Sequence, residues 1–336
     1  MPAPVLVVGR QGQVASALQR MAPQLLERPL VVVGRPELDL VQAGPIEGDQ
    51  PDGAMFLQQW AEVLERHHPA LVINAAAYTA VDRAETEKEM AMAVNGHAVG
   101  AMARGCGQRG LPFVHLSTDY VFAGGGEAPW RPADPTEPLG VYGASKLLGE
   151  QLVRRATHEV GTQALVLRVS WVFGRQGNNF VRTMLRLAGE REVLQVVADQ
   201  VGGPTSAEAI AAALLQLVDS AIVNHSPVAG KSGPFPWGIH HVQGQPWVSW
   251  HGFAQDIVTQ ALELGLLERE PQVIPISTAE FPTPAQRPAN SRLDCSSTER
   301  ELGLVLPAWR EDLRQCLLSW RPAAVVEASA PPPPTP

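Results

Sequence analysis

Two residues four positions apart, Tyr142 and Lys146, have the types and the spacing that proton transfer requires. The segment from Tyr142 to Thr157 predicts a long helix, and residues four apart share one face of a helix, so both side chains would project into one cleft. A free phenol has a pKa near ~10, too high for ready proton exchange at neutral pH. We expect the nearby ammonium to lower the Tyr142 pKa and to make this residue the proton donor to a developing alkoxide.

A third polar group, Thr118, follows a segment that predicts a buried strand, Pro112-Phe-Val-His-Leu116. Its hydroxyl would lie just beyond a strand end, where it can hydrogen-bond the same carbonyl oxygen. A Tyr-x-x-x-Lys pair alone also occurs by chance on exposed helices, but the strand-end Ser117-Thr118 and an upstream glycine turn favour a reductase site. Thr118, Tyr142 and Lys146 are therefore the predicted catalytic residues.

The glycine turn, Gly9-Arg-Gln-Gly12-Gln-Val-Ala15, follows the predicted strand Val5–Val8. Glycine permits the tight turn from strand to helix and lets a pyrophosphate approach the backbone, where the helix N-terminus offers free N–H groups. Alanine replaces the last glycine of the simplest dinucleotide fingerprint and is still small enough for helix-on-strand packing. The predicted cofactor contacts of this turn are Gly9, Gln11, Gly12, Gln13 and Val14.

The cofactor preference depends on the end of the second predicted strand, Leu30–Val33, which continues into Gly34-Arg35. An acidic residue there pairs with the ribose 2′-hydroxyl of NAD, whereas an arginine suits the 2′-phosphate of NADP. Arg35 therefore favours NADPH, although a solvated loop arginine would look the same. Asp39 nearby leaves NADH open, and Asp39 and Leu40 join the predicted cofactor contacts.

Repeated short β-branched runs separated by amphipathic helices set the expected fold. This alternation is typical of a Rossmann-type doubly wound α/β sheet, with parallel strands and helices on both faces, whose ligands bind beyond the carboxyl ends of the strands. We expect a dinucleotide-binding domain over residues 1–174, with a later segment, about 193–245, returning to it. Residues 175–320 would form mainly a smaller, loop-rich substrate lobe, and the proline-rich residues 321–336 a disordered tail.

The composition argues against several classes of function. A net charge of -8 over 336 residues argues against a general nucleic-acid binder, which needs a clustered positive surface. No apolar run approaches the ~20 residues of a transmembrane helix, and the N-terminus lacks the basic region of a secretion signal. Cys106, Cys295 and Cys316 have no metal-ligand spacing and suit a reducing compartment. We therefore expect a cytoplasmic protein that binds neither nucleic acid nor membranes.

Several motifs, in this order, carry a resemblance to a known family. They are the glycine turn, Asn74-Ala-Ala-Ala-Tyr-Thr-Ala-Val-Asp82, Ser117-Thr-Asp-Tyr-Val-Phe122 and Tyr142-Gly-Ala-Ser-Lys146. With them the chain resembles the extended short-chain dehydrogenase/reductases. Later segments narrow the resemblance to the dTDP-4-dehydrorhamnose reductase family: Arg168-Val-Ser-Trp-Val-Phe173, Gly177-Asn-Asn-Phe180, Asp199-Gln-Val-Gly-Gly-Pro-Thr205 and residues 282–294. The resemblance spans nearly the whole chain.

The resemblance implies NADPH-dependent reduction of dTDP-4-dehydro-β-L-rhamnose to dTDP-β-L-rhamnose, with hydride from the nicotinamide and a proton from Tyr142. Tyr142 and Lys146 would also contact the cofactor, the lysine through the nicotinamide ribose. The implied lining of the cofactor cleft is Asn74, Ala75, Ala76 and Ala77. The implied substrate contacts are Asp119, Tyr120, Trp171, Asn179 and Arg287. Core packing for the tryptophan and a rim salt bridge for the arginine are the competing interpretations.

The resemblance also bears on metals and assembly. Some members hold Mg²⁺ at a dimer interface through glutamates, but Ala17 stands at one of those positions, so no metal is expected. His240-His241 is not a convincing ligand pair either, because neighbours on a strand point to opposite faces. A homodimer is implied by the resemblance alone. Two alternatives stay open: a non-catalytic dinucleotide-binding regulatory subunit of the methionine adenosyltransferase type, and a reductase of another nucleotide 4-keto sugar.

Overall fold

The structure, a computed structural model, describes residues 2–45 and 53–321. Most of residues 43–53, a segment rich in Gly, Pro and Asp, and the proline-rich tail beyond residue 321 lie outside the described residues. Within the described part of the chain, no helix is long and apolar enough to cross a membrane.

Strands and helices alternate along the chain and are numbered here in chain order. The strands are β1 (Val5–Val8), β2 (Leu30–Val33), β3 (Leu71–Asn74), β4 (Phe113–Thr118), β5 (Ala164–Val169), β6 (Val172–Phe173), β7 (Val193–Val197), β8 (Val201–Gly202), β9 (Thr205–Ser206), β10 (Gly238–His241), β11 (Val248–Ser249), β12 (Gln272–Ile276) and β13 (Asn290–Ser291). The helices are α1 (Gln13–Leu25), α2 (Ala54–His67), α3 (Val81–Ala84), α4 (Lys88–Met92), α5 (Ala98–Gly107), α6 (Val141–Val160), α7 (Phe180–Glu190), α8 (Ala207–Ile222), α9 (Trp250–Glu263), α10 (Ser296–Leu302) and α11 (Trp309–Leu318). Short 3₁₀ turns cover Leu40–Gln42, Asp119–Val121 and Thr278–Glu280, and a π-helical turn covers Ala93–His97.

The main sheet has six parallel strands in the order β10-β5-β4-β3-β1-β2. All residues of β1, β3 and β5 are buried, as expected for strands covered on both faces. Strand β2 lies on one side of β1, whereas β3 and the strands that follow it lie on the other side. The order of the strands therefore reverses between β1 and β3, and this reversal opens a crevice beyond the carboxyl ends of the strands. The sheet confirms the predicted Rossmann-type doubly wound α/β fold.

Helices cover the two faces of this sheet because successive strand residues point in opposite directions. In β1, Val5 and Val7 belong to a core cluster with α1 and α8. Leu6 and Val8 belong to a second cluster with α2, α5 and α6. The long helix α6 therefore lies on the second face, next to β4, and its first turns reach the crevice.

A third core cluster is built from α7, α9 and α11. The parallel pair β7 and β12 packs with these helices, and Leu194 and Val196 of β7 are part of the cluster. Short strands β11, β8 and β13 form a further ladder. The C-terminal part thus buries its own apolar residues.

The observed pairings bear on the predicted boundaries. Within residues 193–245, β10 joins the main sheet beside β5, and α8 packs on its face. In contrast, β7 pairs with β12 and does not return to the main sheet, because its alternating exposed and buried residues suit an exposed ribbon better than a central strand. The division into two domains stays a prediction.

Candidate active site

The carboxyl end of β4 and the first turns of α6 meet at the crevice. Thr118 is the last residue of β4, and α6 begins one residue before Tyr142. Gly143 allows this close approach, because a Cβ at its position would collide with the carbonyl group of Tyr120. The Tyr142 hydroxyl consequently lies close enough to Thr118 for the threonine hydroxyl to affect its pKa. Lys146, one helical turn later, reaches back to β4 as well.

Thr118 and Asp119 form a buried polar pair. The threonine Oγ1 donates to Asp119 Oδ1 at 2.9 Å and accepts from the Tyr120 N–H at 3.3 Å. Burial raises the pKa of Asp119 to about 6, while the nearby hydroxyl groups of Ser291 and Thr118 lower it in part. Thr118 is thereby fixed in place, with its oxygen directed to the start of α6.

The Tyr142 phenol is more basic than expected. Burial raises its pKa to about 12, the hydrogen bond with Thr118 lowers it in part, and the charge of Asp119 raises it again. The structure thus corrects the expectation that Lys146 lowers this pKa, because the lysine turns towards β4 and burial is the largest effect. At neutral pH Tyr142 carries its proton and is able to donate it.

Lys146 is 2% exposed, which is rare for a lysine. Its Nζ donates to the Leu116 carbonyl oxygen at 2.6 Å and lies 3.4 Å from His115 Nε2. Burial lowers the pKa of Lys146 to about 8, and the carboxylate of Glu150, one turn further along α6, opposes this shift. The ammonium form is therefore the main form at pH 7, and it is lost as the pH rises through about 8.

The glycine turn lies directly against the loop that follows β3. Gly9 has φ of +118°, and a Cβ there would lie 3.1 Å from the backbone nitrogen of Ala76. Gly12 is the N-cap of α1 and provides no side-chain cap, so the first N–H groups of this helix stay available. A helix N-terminus at the reversal between β1 and β3 is suited to a pyrophosphate. The cradle therefore fits a dinucleotide cofactor.

The loop after β3 forms the neighbouring wall of this cradle. The backbone N–H of Ala75 donates to the Val8 carbonyl oxygen at 3.0 Å, which holds the loop beside the end of β1. Asn74 Oδ1 accepts from the Ala76 N–H at 3.1 Å, and Ala77 is exposed. The structure thus brings the predicted residues of this loop next to the glycine turn.

The far end of the cradle carries two arginines. Arg35 is exposed just after β2. Arg10, which the sequence analysis did not consider, lies beside the end of β2 and pairs with Glu37 at 3.3 Å. Asp39 instead caps the 3₁₀ turn that begins at Leu40, so its carboxylate is engaged by the backbone. This charge distribution is more suited to a 2′-phosphate than to a free 2′-hydroxyl.

Comparison with known proteins supplies the family. The family described as RmlD substrate binding domain matches residues 3–321. The chain belongs to this family. It is 40% identical to the dTDP-4-dehydrorhamnose reductase of Burkholderia thailandensis, over 93% of this chain and 97% of that one, and 40% identical to that of Sinorhizobium fredii, over 92% and 95%. A crystal structure of dTDP-4-dehydrorhamnose reductase from Bacillus anthracis in complex with NADP covers 95% of this chain and 99% of that chain, with 30% identity and a TM-score of 0.79.

Two of the substrate contacts expected in an RmlD-family protein lie near the catalytic tyrosine. The Tyr120 ring meets the Tyr142 ring edge-on, with the centroids 5.4 Å apart. Arg287 lies close enough to Tyr120 for the two groups to affect each other's pKa. Its guanidinium is bound by both oxygens of Asp82, at 3.0 and 2.7 Å. The rim salt bridge considered for Arg287 is therefore present, with Asp82 as the partner.

Trp171 and Asn179, which are also among the expected contacts, make other interactions in this structure. Trp171 has φ of +45° and stacks on Trp250, with ring centroids 3.5 Å apart and an angle of 10° between the rings. Asn179 caps α7 and donates to Gln13 Oε1 at 3.0 Å. Asn179 is thus beside the first turn of α1, on the cofactor side, while Arg287 lies beside Tyr120. The structure does not bring these two residues together.

Buried polar residues that the sequence analysis missed surround the catalytic residues. His115 and Arg168 each interrupt an apolar run of a central strand, and that interruption was the available sequence signal. Arg168 makes two hydrogen bonds with Glu150, at 2.9 and 2.7 Å. Asn95, in the π-helical turn, donates to Ser145 Oγ at 3.0 Å and so ties this turn to α6 next to Lys146.

Among residues 2–45 and 53–321, no three His, Cys, Asp or Glu side chains converge as a metal site would need. His240 Nε2 lies 3.0 Å from the Pro236 carbonyl oxygen, and His241 Nδ1 lies 3.1 Å from the Asp294 carbonyl oxygen. Both rings are therefore engaged by the backbone. That the protein works without a metal stays a prediction.

Proposed function

We propose that this protein reduces dTDP-4-dehydro-β-L-rhamnose to dTDP-β-L-rhamnose with NADPH. Relatives 40% identical to it over nearly their whole length are dTDP-4-dehydrorhamnose reductases by name, and a related structure holds NADP. One observation carries the proposal: a protonated phenol, a threonine hydroxyl and a buried lysine gather beside the dinucleotide cradle of a Rossmann sheet. Such a group is able to complete the reduction of a ketone.

The reaction adds a hydride and a proton across the C4 carbonyl group. When bound, NADPH supplies the hydride to the carbonyl carbon. Tyr142 gives its phenolic proton to the carbonyl oxygen as negative charge develops there, because burial keeps the phenol protonated well above neutral pH. Thr118, whose single hydroxyl proton is donated to Asp119 Oδ1 in this structure, would turn that proton to the same oxygen and orient it. The product is a secondary alcohol, and Tyr142 is left as a phenolate that takes up a proton from solvent.

Lys146 acts on the cofactor ribose, because its ammonium turns towards β4 and does not lower the Tyr142 pKa. An ammonium has three N–H groups to donate to the ribose oxygens, whereas a neutral amine is a weaker donor. The Lys146 pKa of about 8 therefore predicts that kcat declines as the pH rises through about 8. The nicotinamide ribose hydroxyls would accept the lysine N–H groups that Leu116 does not engage.

The substrate side is formed by Asp119, Tyr120, Trp171 and Arg287. An arginine fork suits the paired oxygens of a diphosphate, so Arg287 is the proposed anchor for the nucleotide diphosphate. Binding would then replace its present partner, Asp82, by the substrate. Asn179, next to Gln13, is assigned to the cofactor side of the cleft.

The decisive test is Tyr142→Phe, assayed by NADPH oxidation with the sugar made by the preceding dehydratase and epimerase steps. We expect kcat to fall by about 10²–10⁴-fold, because only the proton donor is lost, with an unchanged Kd for NADPH. Tyr78→Phe is the matched control, since the hydroxyl of this tyrosine donates to Glu87 at 2.7 Å and has no part in the proposed proton transfer. Full activity of Tyr142→Phe would contradict the proposal.

The same assay separates the alternatives. Faster turnover of another nucleotide 4-keto sugar would mean that the reaction is the proposed ketone reduction but that the substrate is a different sugar. A regulatory subunit would bind NADPH without oxidising it and would co-purify with a catalytic partner. The relatives favour the reductase, since the two that are 40% identical to this chain over more than nine tenths of its length carry that name.

We propose further that the enzyme is a cytoplasmic homodimer. The family resemblance supports both the dimer and the location. For the location it is consistent with the finding that no helix among the described residues is long and apolar enough to cross a membrane. Light scattering coupled to size-exclusion chromatography measures the dimer directly, and cell fractionation measures the location.

A further inference from the structure

A chain of buried side chains leads from β3 to the catalytic lysine. Asn74 and His115 are 0% exposed, and Lys146 is 2% exposed. Asn74 Nδ2 lies 3.1 Å from His115 Nδ1, and His115 Nε2 lies 3.4 Å from Lys146 Nζ. His115 has no part in the mechanism described above, yet it is in direct contact with a catalytic group.

The backbone decides where the proton of this imidazole lies. Asn74 Oδ1 accepts from the Ala76 N–H at 3.1 Å, so the amide NH₂ group of Asn74 must face His115. A ring nitrogen that receives an N–H donor has to be an acceptor, so Nδ1 is unprotonated and the proton of the neutral ring is on Nε2. Burial and the charge of Lys146 both hold the His115 pKa well below its ordinary value, which agrees with a neutral ring.

The consequence is that two donors face each other. His115 Nε2–H points at Lys146 Nζ, and an ammonium has N–H groups but no acceptor. The imidazole therefore gives the ammonium no hydrogen bond, and the Leu116 carbonyl oxygen is the acceptor that holds Nζ on this side, at 2.6 Å.

We infer that His115 is a positioning residue for Lys146. Locked by Asn74 as the Nε2–H tautomer, it meets the lysine with a donor, so that the N–H groups of Nζ that Leu116 does not bind stay directed to the cofactor side of the cleft. It also makes the protonated lysine less stable than an acceptor at this position would. The ribose contact rests on the proposed function, whereas the tautomer is a property of the folded protein alone.

Other charged groups near Lys146 act in different ways. Glu150, on the same helix, favours the ammonium, but its carboxylate is shared with Arg168 of β5 at 2.9 and 2.7 Å and with Ser117 at 2.5 Å. Asp119, after β4, acts on Tyr142. His115 is therefore the neighbour whose exchange alters the environment of Lys146 most directly without releasing an ion pair.

The tautomer is measured first, on the wild-type protein. Nitrogen NMR of protein labelled with ¹⁵N-histidine distinguishes a protonated Nε2 from a protonated Nδ1. The signals of His115, one of nine histidines, are identified by their loss in a His115→Gln variant. We expect an Nε2–H tautomer that persists from pH 6 to pH 9. A protonated Nδ1 would overturn the inference, and this measurement needs neither substrate nor turnover.

The second measurement is the pH profile of kcat. Glutamine places an amide oxygen where Nε2 stood, so His115→Gln gives Lys146 an acceptor in the core. We expect the alkaline limb of the profile to move up by about half to one pH unit and the KM for NADPH to rise several-fold, since the lysine is drawn away from the ribose. His115→Asn keeps an acceptor for Asn74 but puts nothing at the Nε2 position, so its shift is smaller.

His241→Gln is the matched control. His241 is also buried, on β10 of the same sheet, and its ring is bound by the Asp294 carbonyl oxygen, not by the lysine. A merely structural role would lower activity in both glutamine variants and leave the alkaline limb in place, and that result would overturn the inference. Because the tautomer is read without turnover, its failure is distinguishable from failure of the proposed reductase activity.

Discussion

Two bidentate arginine–carboxylate pairs lie in very different surroundings. Arg168 and Glu150, beside the catalytic residues, have side chains that are 2% and 4% exposed. Arg287 and Asp82, beside Tyr120, have side chains that are 26% and 39% exposed. Both pairs are bidentate, with shortest contacts of 2.7 Å.

The difference in burial assigns the two pairs different roles. Removing one partner of a buried pair leaves an uncompensated charge in a low-dielectric environment, so such a pair holds α6 against β5 rigidly. Water and salt screen a half-exposed pair, so its arginine is released at little cost. The buried pair is therefore suited to holding α6 and β5 together beside the catalytic residues. The exposed pair is suited to an arginine that exchanges a carboxylate for a substrate phosphate.

The largest expected effect is on the buried pair. Glu150→Gln leaves Arg168 charged and half-satisfied in the core, so we expect the free energy of unfolding to fall by about 3–5 kcal/mol. Urea denaturation at pH 7.5 measures this loss. Glu159→Gln on the same helix is the control, because this carboxylate pairs with Arg104 on the surface. A loss below about 1 kcal/mol in Glu150→Gln would contradict the conclusion that the buried pair stabilises the fold more than the exposed pair does.

Asp119 is a buried carboxylate that has no arginine partner within the described part of the chain, so it shows how burial alone affects the pKa and the stability of the fold. Its Oδ2 has no hydrogen-bond partner among the described residues, and burial raises its pKa to about 6. A raised pKa means that the folded state favours the protonated acid, so stability is lost as the pH rises from about 4 through about 6. Asp119→Asn removes this loss. We expect this variant to be more stable than the wild type by about 1–3 kcal/mol at pH 8.

The pH dependence is the control for Asp119→Asn. The gain in the free energy of unfolding of this variant over the wild type should shrink as the pH falls below about 5, where the wild-type carboxyl is protonated and also uncharged. Urea denaturation at both pH values measures the difference, and an advantage of equal size at both would show that the charge is not its cause.

The smallest expected effect is on the exposed pair. Asp82→Asn should lower the free energy of unfolding by less than about 1 kcal/mol. It should lower the KM for the dTDP-sugar about two- to five-fold, because Arg287 no longer has to leave a carboxylate, with kcat unchanged. A several-fold higher KM would mean that Asp82 orients the arginine for the substrate and does not compete with it.

A matched exposed pair is available as the control for Asp82→Asn. Asp256 binds Arg310 through two contacts of 3.2 Å each. Asp256→Asn should change stability by a similarly small amount and leave the KM unchanged. Initial rates over a range of sugar concentrations, at two ionic strengths, distinguish the two variants.

Local features of the sequence were enough for the framework of this site. Tyr142 and Lys146 share a helix face because they are four residues apart, and the Gly9–Gly12 turn follows a strand because the chain changes there from β-branched residues to a helical pattern. The Rossmann sheet was predictable for the same reason, since each strand and helix has its own short-range pattern. The pairing of β7 with β12 was not predictable in this way, because a partner 79 residues away leaves no local pattern.

The sequence by itself determined which groups carry the chemistry, since residue type and helical spacing are local properties. Only the tertiary structure decided how those groups are tuned. Burial, not Lys146, sets the Tyr142 pKa, because desolvation depends on everything packed around the phenol. The partners of Lys146 and Arg287 come from β4 and from Asp82, distant in the chain, and only the folded backbone brings them into contact.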